Sequence, residues 1–396
     1  MPPSRTPPLL QPYTSLPAES SLHLLTSVLG ASTNWLVVRF LCGALAENNA
    51  GSSWRSAGGA EDGGTGGLSN HGSGTTGQDE EGEVAVVLVS WMRDWEFWKS
   101  ESRRAGGLDL ARLAQQDRFA FVDGLVSLFM PPAADQISQQ APTSTPTAPV
   151  SSTQLSRPSP LPVRSGRSIP PRSPAVSSRH PAPAAPSDQA QHVSPLAAHP
   201  ANLPAQPKGL YRLTSPALEH LEQVLSRAIA GVAQLPPGKA SPRKILLILD
   251  APDLHLAAAD PSSGITASSM AISLLKSRQR VHATVLAVAA DSPLVSAATS
   301  ASASASTTSS LSSTPLETAH ASFLISQAHL ADVVMSLRLL DTGFAADVSG
   351  VLRITLGDAQ DDGEEGQGLV EKEVLYSVGG DGGVKVFERG AGGGNE

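Results

Sequence analysis

The chain is predicted to be an α/β protein with a wound, mostly parallel sheet that ends in antiparallel hairpins at one edge. Continuous apolar runs of strand length recur along the sequence, as expected when helices cover both faces of a parallel sheet. Segments with helical periodicity separate the earlier runs. The last four runs follow one another without a helical segment, which indicates antiparallel pairing.

The elements are expected in the following order. The first strand, 21–28, is followed by a loop at Gly30 and by a helix with apolar residues from Leu36 to Leu45. Two helices are predicted further on, at 216–232 and 268–278. The other strands are predicted at 84–89, 119–122, 245–249, 283–288, 332–339, 351–356, 374–378 and 384–387, the last two joined by a Gly-rich hairpin turn.

Segments rich in Pro, Ser, Ala, Gly or acids interrupt this pattern. They cannot bury enough apolar surface to offset the entropy lost on ordering. We therefore expect one domain over 20–388, built from roughly 220 core-forming residues. Around and within it we expect a disordered N-terminus at 1–19, insertions at 49–81, 131–207, 292–315 and 358–369, and a flexible tail at 389–396.

Composition limits the compartment and the class of partner. The single cysteine, Cys42, excludes an internal disulfide and a zinc site built on several cysteines of this chain. No apolar run approaches the ~18 residues needed to cross a bilayer, so we expect a soluble protein of the cytoplasm and nucleus without membrane contact. The net charge of −8 does not suggest a nucleic-acid binder. However, 141–207 carries five arginines and one acid, which makes it either a basic arm for phosphate backbones or a solvated linker.

The loop after the first strand has the frame of a phosphate loop without its chemistry. Against the pattern G-x-x-x-x-G-K-[ST], only Gly30 is retained, and Trp35, Leu36 and Val37 stand at the second Gly, Lys and hydroxyl positions. In a working loop the glycine lets the backbone approach the phosphates closely, the lysine pairs with the phosphates, and the hydroxyl group holds magnesium. We interpret the loop as degenerate and expect no catalytic residue, no metal and no cofactor.

A second part of a nucleotide-binding frame follows later. The apolar run 245–249 ends in Asp250, the shape of a Walker B strand, and Asp253 lies close behind. Both acids are candidates for residual nucleotide contact. The alternative is an ordinary acid at the end of a buried strand, because a metal would lack the lysine and hydroxyl of its usual setting.

Three of the five tryptophans lie close together in the sequence. Trp91, Trp95 and Trp98 have the spacing of one helical face, and Arg93 is nearby. Aromatic side chains interleaved with bases can stack on unpaired nucleotides, and tryptophans also anchor protein interfaces. These four residues are therefore candidates for partner or RNA contact, with packing against the core as the alternative.

Three sequence blocks resemble a known family. They are RFAFVDGL at 118–125, ADVVMSLRLLDTG at 331–343 and DVSGVLRI at 347–354. Together with the phosphate-loop frame, they resemble the sixth subunit of the Elongator complex. The long insertions depart from the compact pattern of that family.

The resemblance implies a RecA-like, non-enzymatic subunit that lacks the phosphate-loop motif. It would join the fourth and fifth Elongator subunits in a heterohexameric ring and, through them, the catalytic subunits. That ring is associated with tRNA binding and with modification of the wobble uridine. Two alternatives stay open: a divergent RecA-type ATPase of the recombination-mediator type that uses Asp250 and a partner's phosphate loop, and an adaptor that binds only proteins.

Overall fold

One sheet runs through the described part of the chain. The computed structural model describes residues 6–46, 83–129, 207–234, 241–300, 313–340, 345, 347–357 and 369–388. The expected insertions lie mainly outside these residues, as does the tail at 389–396. The strands are β1 Leu22–Ser27, β2 Val84–Ser90, β3 Phe119–Asp123, β4 Leu210–Arg212, β5 Lys244–Asp250, β6 Ala283–Ala289, β7 Val333–Arg338, β8 Gly350–Leu356, β9 Lys372–Val378 and β10 Val384–Glu388.

Helices lie between most of the successive strands from β1 to β7. The helix α3 continues directly into a π-helical turn at Ser102–Gly106. The helices are α1 Gln11–Thr14, α2 Asn34–Ala46, α3 Trp95–Glu101, α4 Leu110–Gln115, α5 Leu218–Ala233, α6 Asp253–Ala258, α7 Ala267–Arg278, α8 Ser292–Ser300 and α9 Pro315–His329. No helix in the described ranges has the length and apolar character needed to cross a bilayer.

The sheet is mixed, and its strand order is β10-β9-β8-β7-β1-β6-β5-β2-β3-β4. The seven strands from β7 to β4 are parallel, with Leu24 of β1 level with Leu286 of β6 and Val334 of β7. The strands β8, β9 and β10 add to β7 in antiparallel pairs. The predicted α/β class, with a mostly parallel sheet and antiparallel hairpins at one edge, is confirmed.

Both faces of the parallel sheet are buried, which explains the continuous apolar runs. Along β5, Leu246 and Ile248 belong to the apolar cluster that includes α2, α3 and α4. Leu247 and Leu249 belong to the cluster on the other face, formed with α5, α7 and α9. A strand buried on both sides has no polar face, so alternation disappears from its sequence.

Part of the expected disordered N-terminus is ordered instead. Leu10, which precedes α1, and Tyr13 in α1 are both buried. The Tyr13 hydroxyl donates a 2.6 Å hydrogen bond to the Val370 carbonyl, and the Lys372 ammonium donates to the Leu9 carbonyl at 2.7 Å. Two buried side chains and two hydrogen bonds therefore attach this Pro-rich segment to the antiparallel strands.

The expected insertion at 292–315 also needs correction at both ends. Residues 292–300 form α8, whose first turn begins on the Asp291 carbonyl. Thr314 caps α9 and forms a capping box with Glu317, with Pro315 at the first helical position. The pattern Thr-Pro-x-Glu is a helix-start signal that the low-complexity composition of the preceding residues concealed.

Candidate functional site

The degenerate loop lies at the switch point of the sheet. The strands β1 and β6 are neighbours in the sheet, but the chain leaves them in opposite directions. After β1 it passes through α2 on one face to β2, and after β6 it passes through α8 and α9 on the other face to β7. In open α/β sheets, ligands bind in the crevice that forms beyond the carboxyl ends of two such strands. The predicted nucleotide-binding frame is therefore in the right place for a ligand.

The loop itself is closed by contacts within the chain. The Leu29 N–H donates a 2.7 Å hydrogen bond to the Asp291 carboxylate, which comes from the segment after β6. Gly30 has φ = +92°, and a Cβ there would lie 3.3 Å from the Leu339 side chain. A side chain at this position would be strained by the left-handed backbone, and it would also displace the Leu339 side chain slightly. The Leu29 N–H is thus occupied by the carboxylate of Asp291 from the same chain.

The three residues that replace the phosphate-loop chemistry are buried. Trp35 is 5% exposed, and its indole packs on the Tyr376 ring with centroids 5.0 Å apart. Leu36 and Val37 are fully buried in the same cluster. No ammonium or hydroxyl group is supplied by these positions, and their side chains face the core. The site is filled by packing.

Arg39, one turn further along α2, extends this attachment. Its fully buried guanidinium donates to the Ala105 carbonyl at 2.9 Å and to the Gly382 carbonyl at 2.8 Å. Ala105 belongs to the π-helical turn, and Gly382 to the turn between β9 and β10. Gly382 has φ = +79°, and a Cβ there would come within 2.7 Å of Ala105. Trp35 and Arg39 together hold the C-terminal hairpin against α2.

Asp250 lies at the carboxyl end of β5 with 3% of its surface exposed. The Ser90 hydroxyl donates a 2.6 Å hydrogen bond to its carboxylate and accepts one from the Arg93 N–H at 2.9 Å. Burial raises the pKa of Asp250 to about 6, against the hydrogen bond from Ser90 and the charge of Arg93. This carboxyl group is engaged by a side chain of the neighbouring strand.

Asp253 begins α6 and is also buried. One carboxylate oxygen lies 3.7 Å from Nδ1 of His320 in α9. Burial raises the pKa of Asp253, and the nearby His320 opposes this shift. The structure therefore brings Asp250 and Asp253 to the same edge, as the sequence predicts. Among the described residues, no group of three or more His, Cys, Asp or Glu side chains could hold a metal ion.

His255 is held as a neutral imidazole beside them. Its Nδ1 accepts a 3.2 Å hydrogen bond from the Trp91 indole N–H. Its Nε2 therefore carries the hydrogen and donates to the Pro216 carbonyl at 2.7 Å. Burial lowers the pKa of His255, which agrees with a neutral ring that ties α6 to the start of α5.

The three tryptophans do not share a helical face. Trp91 lies in the loop after β2 and packs with α5, whereas Trp98 packs with α2 on the other side of the sheet. The helix begins only at Trp95, after the N-cap Asp94. Trp91 and Trp98 are fully buried, so neither offers a ring face to an RNA base or to a partner protein.

Trp95 and Arg93 lie nearer to the surface. The Trp95 indole is half-buried and packs on Phe119 and Phe121 with centroids 6.2 and 5.8 Å apart. Arg93 is exposed and holds its guanidinium 5.0 Å from the Phe97 ring centre. Of the four residues considered for partner or RNA contact, Arg93 is the one with an exposed side chain.

Exposed apolar side chains lie at the same edge of the sheet as the candidate site. They were not identified from the sequence. Leu29 is 85% exposed, Phe129 70% and Met92 52%. All follow the carboxyl ends of strands, namely β1, β3 and β2. Large apolar side chains that remain in water at one edge are typical of protein-interaction surfaces. We call this group the apolar rim; it comprises Leu29, Met92, Val126, Phe129 and Leu339.

The protein was compared with known families, curated proteins and solved structures. No family model and no curated protein matches the chain. Its structure is similar to the crystal structure of a KaiC-like protein from the hyperthermophilic archaeon Pyrococcus horikoshii OT3. That likeness has a TM-score of 0.41 and 10% sequence identity, covers 97% of each chain, and carries no conclusion about activity.

Proposed function

We propose that this chain is a non-catalytic, RecA-like structural subunit of the Elongator complex. In this role it joins the fourth and fifth subunits in a heterohexameric ring that contacts tRNA and supports modification of the wobble uridine in the cytoplasm and nucleus. The resemblance of 118–125, 331–343 and 347–354 to the sixth subunit supports the assignment. Within the described part of these blocks lie the strands β3, β7 and β8.

The filled phosphate-loop position supports a non-catalytic role most strongly. Trp35, Leu36 and Val37 put three buried apolar side chains where phosphate binding needs a glycine, an ammonium and a hydroxyl. The Leu29 amide is occupied by Asp291. Such a subunit retains the sheet, lacks the groups that bind phosphate, and serves the assembly through the contacts of its surface.

The apolar rim supports contact with another protein subunit. Leu29 and Leu339 lie beside each other at the ends of β1 and β7, and Met92 and Phe129 lie at the ends of β2 and β3. Interface cores are depleted of charge and enriched in aromatic residues and Met. A neighbouring subunit seated on this edge would remove these side chains from water.

Contact with tRNA is supported by the resemblance alone. The burial of Trp91 and Trp98 removes two of the stacking side chains proposed from the sequence. The basic arm at 141–207 lies outside the described residues apart from Pro207. An adaptor that binds only proteins is therefore the second candidate.

A divergent ATPase is the third candidate, and one observation favours it. Asp250 ends β5 at the same edge as the degenerate loop, where a Walker B acid would lie. Such an enzyme would need a phosphate loop from a partner subunit. The hydrogen bond from Ser90 to Asp250 gives this acid a structural role without nucleotide.

Affinity purification of the tagged full chain from its own cells, with mass spectrometry of the recovered proteins, tests the proposal. We expect the other Elongator subunits in amounts comparable to the tagged chain. Recovery of none of them would contradict it. If the assembly forms but binds no tRNA, the adaptor is favoured, and ATP turnover by the isolated chain would favour the ATPase.

A further inference from the structure

A buried acid and a buried histidine face each other beside the candidate site. Asp253 at the start of α6 and His320 in α9 are 8% and 6% exposed at their side chains. Their closest atoms, Asp253 Oδ2 and His320 Nδ1, are 3.7 Å apart. The other carboxylate oxygen of Asp253 is buried without a hydrogen-bond partner among the described residues.

The other ring nitrogen of His320 fixes the position of one hydrogen. His320 Nε2 lies 2.8 Å from the Ala289 carbonyl oxygen at the end of β6. A carbonyl can only accept, so Nε2 must donate and carries a hydrogen. In a neutral imidazole, Nδ1 would then be a bare lone pair. That lone pair would face a carboxylate in a site of low dielectric constant.

Two acceptors facing each other in a buried site are costly. One proton on either group removes the cost, as imidazolium beside carboxylate or as imidazole beside carboxylic acid. Burial raises the pKa of Asp253, whereas His320 and the backbone N–H groups of Asp253 and Ala289 favour its ionised form. The other charged groups at this site are Asp250 on β5 and, beyond it, Arg93 after β2.

We propose that Asp253 and His320 hold a single buried proton between them, and that its loss at alkaline pH loosens α9 from the carboxyl end of β6. The pair is attached to the end of β6, because His320 donates to the Ala289 carbonyl and the Ala289 backbone favours the ionised form of Asp253. The released segment would be the strand end next to β1. The chain leaving α9 enters β7, which leads to Leu339 against Gly30.

The direction of the pH effect follows from proton linkage. The folded pair retains a proton that the unfolded chain gives up, so this contribution to stability is present at low pH and lost as pH rises. The window opens above about pH 6.5, because up to that pH an unfolded chain keeps one proton on the histidine while its aspartate is ionised. It closes at the pH where the folded pair releases its proton.

NMR of the full chain, isotope-labelled at the histidine ring nitrogens and at the aspartate carboxyl carbons, tests the shared proton. His255 is the internal reference, because Trp91 and Pro216 fix it as a neutral ring with hydrogen on Nε2. At about pH 7.5 we expect either hydrogen on both nitrogens of His320 or a protonated Asp253 carboxyl group, read from its carbon shift. A neutral His320 beside an ionised Asp253 would overturn the proposal.

Thermal unfolding between about pH 7 and pH 9 tests the consequence. In Asp253→Asn, the side-chain amide can donate to a neutral imidazole without titrating. We expect the melting temperature of the wild type to fall with pH by at least about 3 °C more than that of this variant. At these pH values Asp250 is already ionised, so Asp250→Asn, which leaves the pair intact, should show the same slope as the wild type. Equal slopes in wild type and Asp253→Asn would overturn the proposal.

Discussion

The Trp35 indole packs against the phenol ring of Tyr376, with centroids 5.0 Å apart and ring planes inclined by 34°. This contact joins the helix after the degenerate loop to β9, in the antiparallel part of the sheet. Burial raises the pKa of Tyr376 to about 12, so the ring is a neutral, apolar partner. Trp35, which stands at the second glycine of the phosphate-loop pattern, is thus an anchor of the core.

Replacing Trp35 tests this anchor. Trp35→Ala should lower the free energy of unfolding by about 3–5 kcal/mol, because it removes a buried aromatic side chain and leaves a cavity. Trp35→Phe should cost much less, since it keeps a ring against Tyr376 and removes an indole N–H without a partner in the described structure. Urea denaturation measures both. Equal losses for Phe and Ala would contradict the stacking role.

Arg39 should be as important as an apolar core residue. Arg39→Met leaves the buried carbonyls of Ala105 and Gly382 without this donor, and we expect a loss of about 2–5 kcal/mol. Arg39→Lys should not restore both bonds, because an ammonium lacks the planar fork of a guanidinium. Arg112→Met, at an exposed position, is the matched control and should change stability by less than about 0.5 kcal/mol. The same small change in Arg39→Met would contradict the role of Arg39 in holding the hairpin against α2.

Asp250 should destabilise the fold at neutral pH. Its pKa is raised from 3.8 to about 6 by burial, so the folded state binds a proton more readily than the unfolded state. Stability should therefore fall as pH rises from about 4 to about 6, by about 3 kcal/mol. In Asp250→Asn this fall should disappear. Urea denaturation at both ends of the range measures the difference.

The neutral-pH behaviour of Asp250→Asn follows from the same linkage. The asparagine carbonyl can still accept from Ser90, and position 250 no longer carries a buried charge. We expect the variant to unfold at a urea concentration equal to or above that of the wild type. The same substitution at the exposed Asp347 controls for a general effect of charge. A large loss of stability in Asp250→Asn at neutral pH would show that the charged form is favoured.

The apolar rim should matter for assembly and not for folding. Leu29→Asp changes a side chain that is 85% exposed, so the melting temperature should change little. Recovery of partner subunits in affinity purification should fall at least tenfold if the rim forms the contact. Leu330→Asp is the matched control, because Leu330 is 53% exposed and precedes β7 at the opposite edge. Equal recovery for the two variants would exclude the rim as the interface.

Local patterns were enough to predict the edge hairpins and every strand of the sheet except the short β4. Runs such as 84–89 and 245–249 need burial on both faces, and the turn at 379–383 closes through a 2.8 Å hydrogen bond between Gly379 and Gly383. Composition misled the prediction where structure depended on a few side chains. Leu10 and Tyr13 order a Pro-rich segment, and Thr314 starts a helix after a Ser/Ala tract.

The contacts that define the candidate site could not be read from the sequence. Arg39 meets Gly382, Leu29 meets Asp291, and Asp253 meets His320 across long separations in the chain. No local periodicity encodes such pairs. The tryptophan spacing failed for a related reason, because it assumed one helix across 91–98, whereas Asp94 starts the helix after Trp91.

Binding of a fluorescent ATP analogue to the full chain, alone and in the assembly recovered from cells, tests the central claim most directly. The claim is that packing has replaced phosphate binding at Trp35, Leu36 and Val37. We therefore expect no saturable binding to the isolated chain, and binding to the assembly that is unchanged by Asp250→Asn in this chain. Saturable binding to the isolated chain that Asp250→Asn abolishes would contradict the claim.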